Sequence, residues 1–437
     1  MATLLHSYAV LVITFISMTM LIGNSTLFNF TVICMKAEDR GDQWINGTRF
    51  YSSGEEGWII GAAPIGCITG MLPTIYMLDR IGMRHTYPVF GLISGIATFA
   101  FTLFANDIYL TVFIRFILGF AMAVAFVAIG NVPIEYGGVA KKSMFMAILS
   151  CSHQFGPTLS IPLASVFCSS SIGWQGANYL FSAITLVSFV LFFAVYRNVL
   201  HSSSNTSDSN KEILKEIPPY RAIFTSASIW GIFIKGIGDA LAFLVFFIYG
   251  PIYVHKVLNF KIEQTGVLAA LPFVASIISK IPIGLFLHKT SHKDSSKSVF
   301  VVNIALQIVL TINFLVLIFL TSGRPLLAEA LIVITIVVTG IHYVFIISAA
   351  HIVAQQYTHV ISSSLGVVGS FFGLLLPPFV SVMAPNHTAD EWKMVFYCIT
   401  GVLIITNLIF GVLTKLKPAE WTKEDYKKDQ SNELKST

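Results

Sequence analysis

Apolar runs long enough to cross a membrane recur from Leu5 to Leu413, and they constrain the fold more tightly than any motif does. About 20 apolar residues span a hydrocarbon core as a helix, which satisfies its own backbone hydrogen bonds in lipid. The chain therefore reads as an all-α membrane protein. Charged residues are 11% of its 437 positions, against about 25% in an ordinary soluble domain. That excludes a typical cytosolic enzyme. The net charge of +5 implies no nucleic-acid partner, because the basic residues lie in short segments between apolar runs. The first run, Leu5 to Met35, lacks a basic flank and is too long for a cleavable signal, so it reads as a true span.

Twelve candidate spans divide six and six, from Leu5–Ile33 to Trp392–Leu413, with Ser143–Phe167 as the fifth and Ala222–Tyr253 as the seventh. The division predicts an N-terminal six-helix bundle over residues 1–200, a Ser/Asn-rich cytosolic linker over 201–221, a C-terminal bundle over 222–416 and a cytosolic tail over 417–437. Placing Gly57 over Gly266 brings Pro73 over Pro282, Leu78 over Leu287, Arg80 over Lys289 and Arg84 over Lys293. Two parallel copies of a six-helix unit describe a carrier whose halves rock about a site at their interface, near the bilayer midplane.

With both termini cytosolic, inner loops carry more than twice the lysine and arginine of outer loops, as the positive-inside rule expects. Sequons at Asn46 and Asn386 then fall outside, where glycosylation occurs. Those at Asn24, Asn29 and Asn205 read as chance matches. The five cysteines show no metal spacing and read as small residues of the membrane interior, with a Cys34–Cys168 disulfide left open as the alternative.

The segment GMLPTIYMLDRIGMRH resembles the cytosolic loop signature of the major facilitator superfamily, through Asp79, Arg80, Gly82 and Arg84. Its charges suit charge-assisted bonds between helix ends, a cytosolic gate to which Glu135 adds an acid. RFILGFAMAVAFVAIGNVPIEYGG, GWQGANYLFSAI, FFIYGPIYVHKVLNFKIEQTGVLAALPF and EWKMVFY resemble the anion symporter branch of that superfamily, which contains sodium/phosphate, sialic acid and vesicular glutamate transporters. The resemblance covers nearly the whole chain and implies the major facilitator fold. Within it, Arg115 matches a family arginine. A glutamate of one family pattern is Met122 here, the span-one basic residue is Leu27, the span-two histidine is Ile60 and the span-seven basic residue is Asp239. These departures argue against a dicarboxylate substrate.

A charge at the bilayer centre costs at least about 2.5 to 3.5 kcal/mol, so intramembrane ionisable groups are functional candidates. Arg115 suits bidentate recognition of an anion, with an interfacial snorkelling arginine as the alternative. Lys235 and Asp239, one helical turn apart in the seventh span, read either as a mutually neutralising pair or as a site. In the site, Asp239 binds the coupling proton or sodium ion, and Lys235 binds substrate or alternates as its partner. Lys280 reads as a weaker site candidate or a snorkelling lysine; His153, Gln154, His342 and His351 read as groups that donate hydrogen bonds or titrate, or else as packed polar groups; Glu329 reads as an outer partner of Arg324. Gly57, Gly61, Gly66 and Gly70 in the second span, and Gly366, Gly369 and Gly373 in the eleventh, suit helices that slide closely against neighbours.

The expected protein is a secondary active transporter of a small organic or inorganic anion, coupled to protons or sodium, with no other cofactor and no metal. It resides in the plasma membrane or an endolysosomal or vesicular membrane. The alternative is a transporter-like protein that binds or senses a ligand without net transport. No enzyme signature and no nucleotide-binding loop occurs in the sequence.

Overall fold

The computed structural model describes residues 2–35, 51–137, 144–146, 148–197, 219–290, 295–320 and 324–422. Asn46, Lys141, Lys142, most of the linker and the end of the tail lie outside them, as does the side chain of Asp79. Among the described residues every regular element is helical. The long helices are α1 (Ala2–Thr31), α2 (Ser53–Ile81), α3 (Met83–Phe104), α4 (Ile108–Tyr136), α5 (Ser152–Cys168), α6 (Trp174–Val195), α7 (Ala227–Lys256), α8 (Ile262–Thr290), α9 (Ser295–Leu320), α10 (Pro325–Ala354), α11 (Thr358–Met383) and α12 (Ala389–Leu413).

Eleven of them are long and apolar enough to cross a membrane. The exception, α5, has 17 described residues and follows helical residues 144–146 and 148–150, so the fifth span is present in outline. The seventh span is corrected at its start. Ser226 is extended (φ −74°, ψ 120°) and separates a short helix, Tyr220–Thr225, from α7. Lys235 thus lies eight residues into α7, about 12 Å along its axis at 1.5 Å per residue. It is shallower than an unbroken helix from Ala222 implies, and Asp239 is the deeper group.

Local chemistry sets the helix ends. Ser52 and Glu55 form a capping box at α2, and Asp107 accepts backbone N–H bonds from Tyr109 and Leu110 at α4. Between α2 and α3 the chain turns at Gly82 (φ 73°), a conformation that a Cβ disfavours, which accounts for glycine in the loop motif.

The chain forms two compact units that do not coincide with its two halves: Met1–Asp208 with Phe247–Ile277 and Gly373–Glu391, and Ser209–Phe246 with Ile278–Phe372 and Trp392–Thr437. In the first unit Tyr87, Phe90, Phe189 and Phe192 are fully buried with Val124 of α4. Asn24 of α1 donates to Ser94 of α3 (3.1 Å) and Thr185 of α6 (3.0 Å), so its sequon is a packed core group. Gly66 of α2 and Gly119 of α4 face each other's helix so closely that a Cβ on either would overlap a backbone carbonyl of the other. By contrast, Gly366 and Gly369 of α11 have nothing within 4 Å of such a Cβ, so close packing does not explain them.

Also in the first unit, the ends that the topology places outside are joined. Ser165 donates to Ile262 O (2.9 Å), Ser169 to Glu263 (3.1 Å) and Ser381 to Ser53 O (3.1 Å). His387 Nε2 lies 3.6 Å from Glu56, both buried. Cys34 and Cys168 form a disulfide with Cα atoms 5.9 Å apart, so these two cysteines are a covalent clasp rather than membrane-embedded small residues. The pair is the one left open as the alternative in the sequence, and it takes packing to close their 134-residue separation.

In the second unit, α7, α9, α10 and α11 enclose Ile232, Phe233, Phe345, Ala349 and Leu365. The chain after α12 folds back across this core: Thr414 meets Gly231, Ala419 N–H donates to Val353 O (3.0 Å) and Trp421 is buried beside Tyr357. The tail therefore begins ordered.

Candidate functional site

Arg115 lies seven residues beyond the start of α4, about 10 Å along the helix, in the first unit. It is only 2% exposed, which removes the snorkelling alternative. Its Nη1 donates to Ser25 O (2.8 Å), its Nε to Ile59 O (3.4 Å), and the guanidinium rests over the Phe28 ring at 5.2 Å. No carboxylate pairs with it and Nη2 makes no hydrogen bond among the described residues. A buried cation held by neutral carbonyls and a ring keeps its demand for a counter-ion. The open edge of the fork suits an oxyanion. The residues standing in for the missing family positions, Leu27 and Ile60, are both buried and apolar, at 1% and 3% exposure.

Lys235 and Asp239 do not pair with each other. Lys235 is fully buried, donates to Asn407 Oδ1 of α12 (2.6 Å) and sits over the Phe410 ring at 4.8 Å. Asp239 instead lies 2.8 Å from Nδ1 of His342 on α10, with the two side chains 7% and 0% exposed. Helical geometry explains the separation. Residues four apart on α7 share a face, but α10 and α12 offer better-placed partners to its two ends. Gly236 faces Leu365, while a Cβ on Gly238 would crowd Gln307 and Thr406, so α7 uses its glycines for close packing here.

His342, which the sequence offers either as a packed polar group or as a hydrogen-bonding one, is the direct partner of Asp239. The sequence signal available for it was a histidine inside an apolar helix. Glu329 is also corrected: it is 3% exposed, and neither carboxylate oxygen has a hydrogen-bond partner among the described residues, so it does not pair with the exposed Arg324. His351 is exposed and lies 3.2 Å from Thr358 Oγ1, and His153 packs against Phe126 with ring centroids 5.5 Å apart.

At the end that the topology calls cytosolic, Glu135 accepts from Tyr196 (2.8 Å), and Tyr136 donates to Arg197 O (2.5 Å). Burial, then the Glu135 carboxylate, pushes the Tyr196 phenol well above its ordinary range and keeps it a donor. Arg84 lies over the Phe193 ring at 5.1 Å and donates to its carbonyl (3.4 Å), while exposed Arg80 lies over Tyr76 at 5.5 Å. Arg84 and Glu135 thus converge on the end of α6. Asn386, in the α11–α12 turn, is exposed, but its Nδ2 donates to Glu391 (3.0 Å) and its neighbour His387 is buried. Two clefts of about 250 and 280 Å³ have none of Arg115, Lys235 and Asp239 in their walls.

Residues 12–377 match the model of the Major Facilitator Superfamily. Human sialin is 22% identical over 389 residues, covering 85% of this chain and 77% of its own. Mouse sodium-dependent phosphate transport protein 3 is 22% identical over 395 residues, covering 86% and 81%. Zebrafish vesicular glutamate transporter 2.2 is 21% identical over 399 residues, covering 86% and 66%. Among solved structures, a bacterial homolog to the human lysosomal transporter Spinster superposes with a TM-score of 0.72 at 12% identity, covering 93% of this chain and 97% of that one. A D-xylose–proton symporter superposes with a TM-score of 0.72 at 13% identity, covering 94% and 98%. These likenesses show the fold.

Proposed function

The chain belongs to the Major Facilitator Superfamily, and from that premise we propose that it carries a small anion across a membrane by alternating access, driven by a coupled cation. Its similarity to sialin, vesicular glutamate transporters and a phosphate transport protein supports a multi-pass transporter of a small solute rather than an enzyme. One observation carries the anionic reading: Arg115 is buried with no acid beside it and with one arm of its guanidinium free. Asp239 carries the coupling cation, and Lys235 balances its charge from one turn away.

The two six-helix repeats, 1–200 and 222–416, are the proposed moving bodies. The hydrogen bonds of Ser165, Ser169 and Ser381 form the outer closure, while Asp79, Arg80, Gly82, Arg84 and Glu135 form the cytosolic one. Disulfides persist in oxidising compartments, so the Cys34–Cys168 clasp supports placing those helix ends outside or in a lumen, with both termini cytosolic. Glycosylation at Asn46 and Asn386 and residence in the plasma or a vesicular membrane complete the reading.

The test is reconstitution in liposomes, with labelled L-glutamate, N-acetylneuraminate and inorganic phosphate offered under imposed pH and sodium gradients. Gradient-dependent accumulation of one of them supports transport. Binding without flux would favour the sensing alternative.

A further inference from the structure

The pairing of Asp239 with His342 bears on which cation the carrier uses. The contact is 2.8 Å long and both side chains are withdrawn from solvent. His342 Nε2 is fully buried and has no hydrogen-bond partner among the described residues. A carboxylate meeting an imidazole nitrogen holds one hydrogen between them, leaving one nitrogen lone pair vacant. Sodium would ask for something else, since hard cations gather several oxygen ligands. Here one carboxylate oxygen already faces a ring nitrogen, and an ammonium stands one helical turn away on α7.

We propose that Asp239 and His342 form a carboxylate–imidazole dyad that binds a single proton, making the proton rather than sodium the coupling ion; this rests on the transporter reading above. Among the described residues, the titratable groups beside the dyad are Lys235, one turn away on α7, and Tyr343, next to His342 on α10. Gln307 of α9, Thr406 and Asn407 of α12 and Leu365 of α11, all packed against this stretch of α7, do not titrate.

With Asp239 ionised, His342 neutral and Lys235 charged, the group sums to zero. Uptake of a proton forms one N–H bond at Nε2, breaks no other bond and leaves the group at +1. That charge favours an anion, and by reciprocity a bound anion favours the proton. The new Nε2–H has no acceptor in this arrangement, so it weakens the packing of α7 on α10 until an acceptor is supplied. Proton and anion thereby bind together and leave together.

The proton site is tested without a substrate, in the full-length protein in lipid nanodiscs with 15N-labelled histidine. The His342 signal, identified by its loss in His342→Gln, is followed from about pH 4 to about pH 9. The expected result is one titration step, unmoved when sodium replaces N-methylglucamine at constant ionic strength. Its midpoint should fall by about one pH unit or more in Asp239→Asn, because the neighbouring anion is gone.

Failure to titrate across that range, or displacement of the midpoint by sodium, overturns the proposal. The sodium comparison does not use Asp239→Asn, so it survives a failure of that variant to fold. A negative flux screen with a normal titration would strike the transport reading and leave the proton site standing.

Discussion

Arg115 in the first unit and Lys235 in the second are both buried cations, and the difference between their surroundings is instructive. Each rests over a phenylalanine ring and bonds to neutral oxygen. Lys235 also has Asp239 four residues away, so its helix carries no net charge at that level. Arg115 has no such acid. Burying a cation without a counter-ion is unfavourable by several kcal/mol unless something compensates. On the proposed reading the first site is completed by an anion, whereas the second is balanced within its own helix and takes up the coupling proton. A binding group and a coupling group can look alike in composition and differ only in what balances them.

The largest effect that would sharpen this contrast is at the coupling site. Asp239→Asn should abolish gradient-driven accumulation while exchange persists, measured as uptake with and without an imposed pH gradient; undiminished driven uptake removes Asp239 from coupling. Next is Arg115→Lys, which keeps the charge and loses the fork. Losing a charge-assisted bond of about 1.5 to 3 kcal/mol should weaken apparent anion affinity by about 10-fold to 150-fold, read from concentration-dependent uptake. Equal affinity in the lysine variant would break the comparison, since any cation would then suffice.

Lys235→Gln should act on pH dependence rather than on affinity. A nearby cation lowers the proton affinity of an acid, so removing it should move the pH profile of exchange upward by up to about one unit. A downward or absent shift would show that Lys235 does not sense Asp239. The smallest expected change is in stability: Asn407→Leu withdraws the only side-chain acceptor that a buried ammonium has among the described residues and should cost about 1 to 3 kcal/mol, seen as a lower thermal midpoint in nanodiscs. A midpoint unchanged from that of the unmodified protein would mean that the Phe410 ring alone suffices.

Much of this was legible in the residues. Span count followed from apolar length, and Gly82 from the loop motif whose turn it makes. Arg115 and Asp239 were conspicuous because a charge among Phe, Ile and Ala is expensive. Their partners were not legible. Lys235 stands four residues from Asp239, the spacing of a helical ion pair, yet its bond runs to Asn407, 172 positions away. His342 looked like one histidine among eleven, and Glu329 looked close enough to Arg324 to pair with it.

The sequence alone determined the helical class, the membrane-crossing length of its segments and which groups are charged within them, because hydrocarbon thickness and the cost of burial act on each segment separately. Only the tertiary structure decided which charges are paired, that Cys34 meets Cys168 and that the chain after α12 folds under α10. Those outcomes depend on which helix faces which. Residues on one face of α7 can be met by α9, α10, α11 or α12, and the period of a single helix does not say by which.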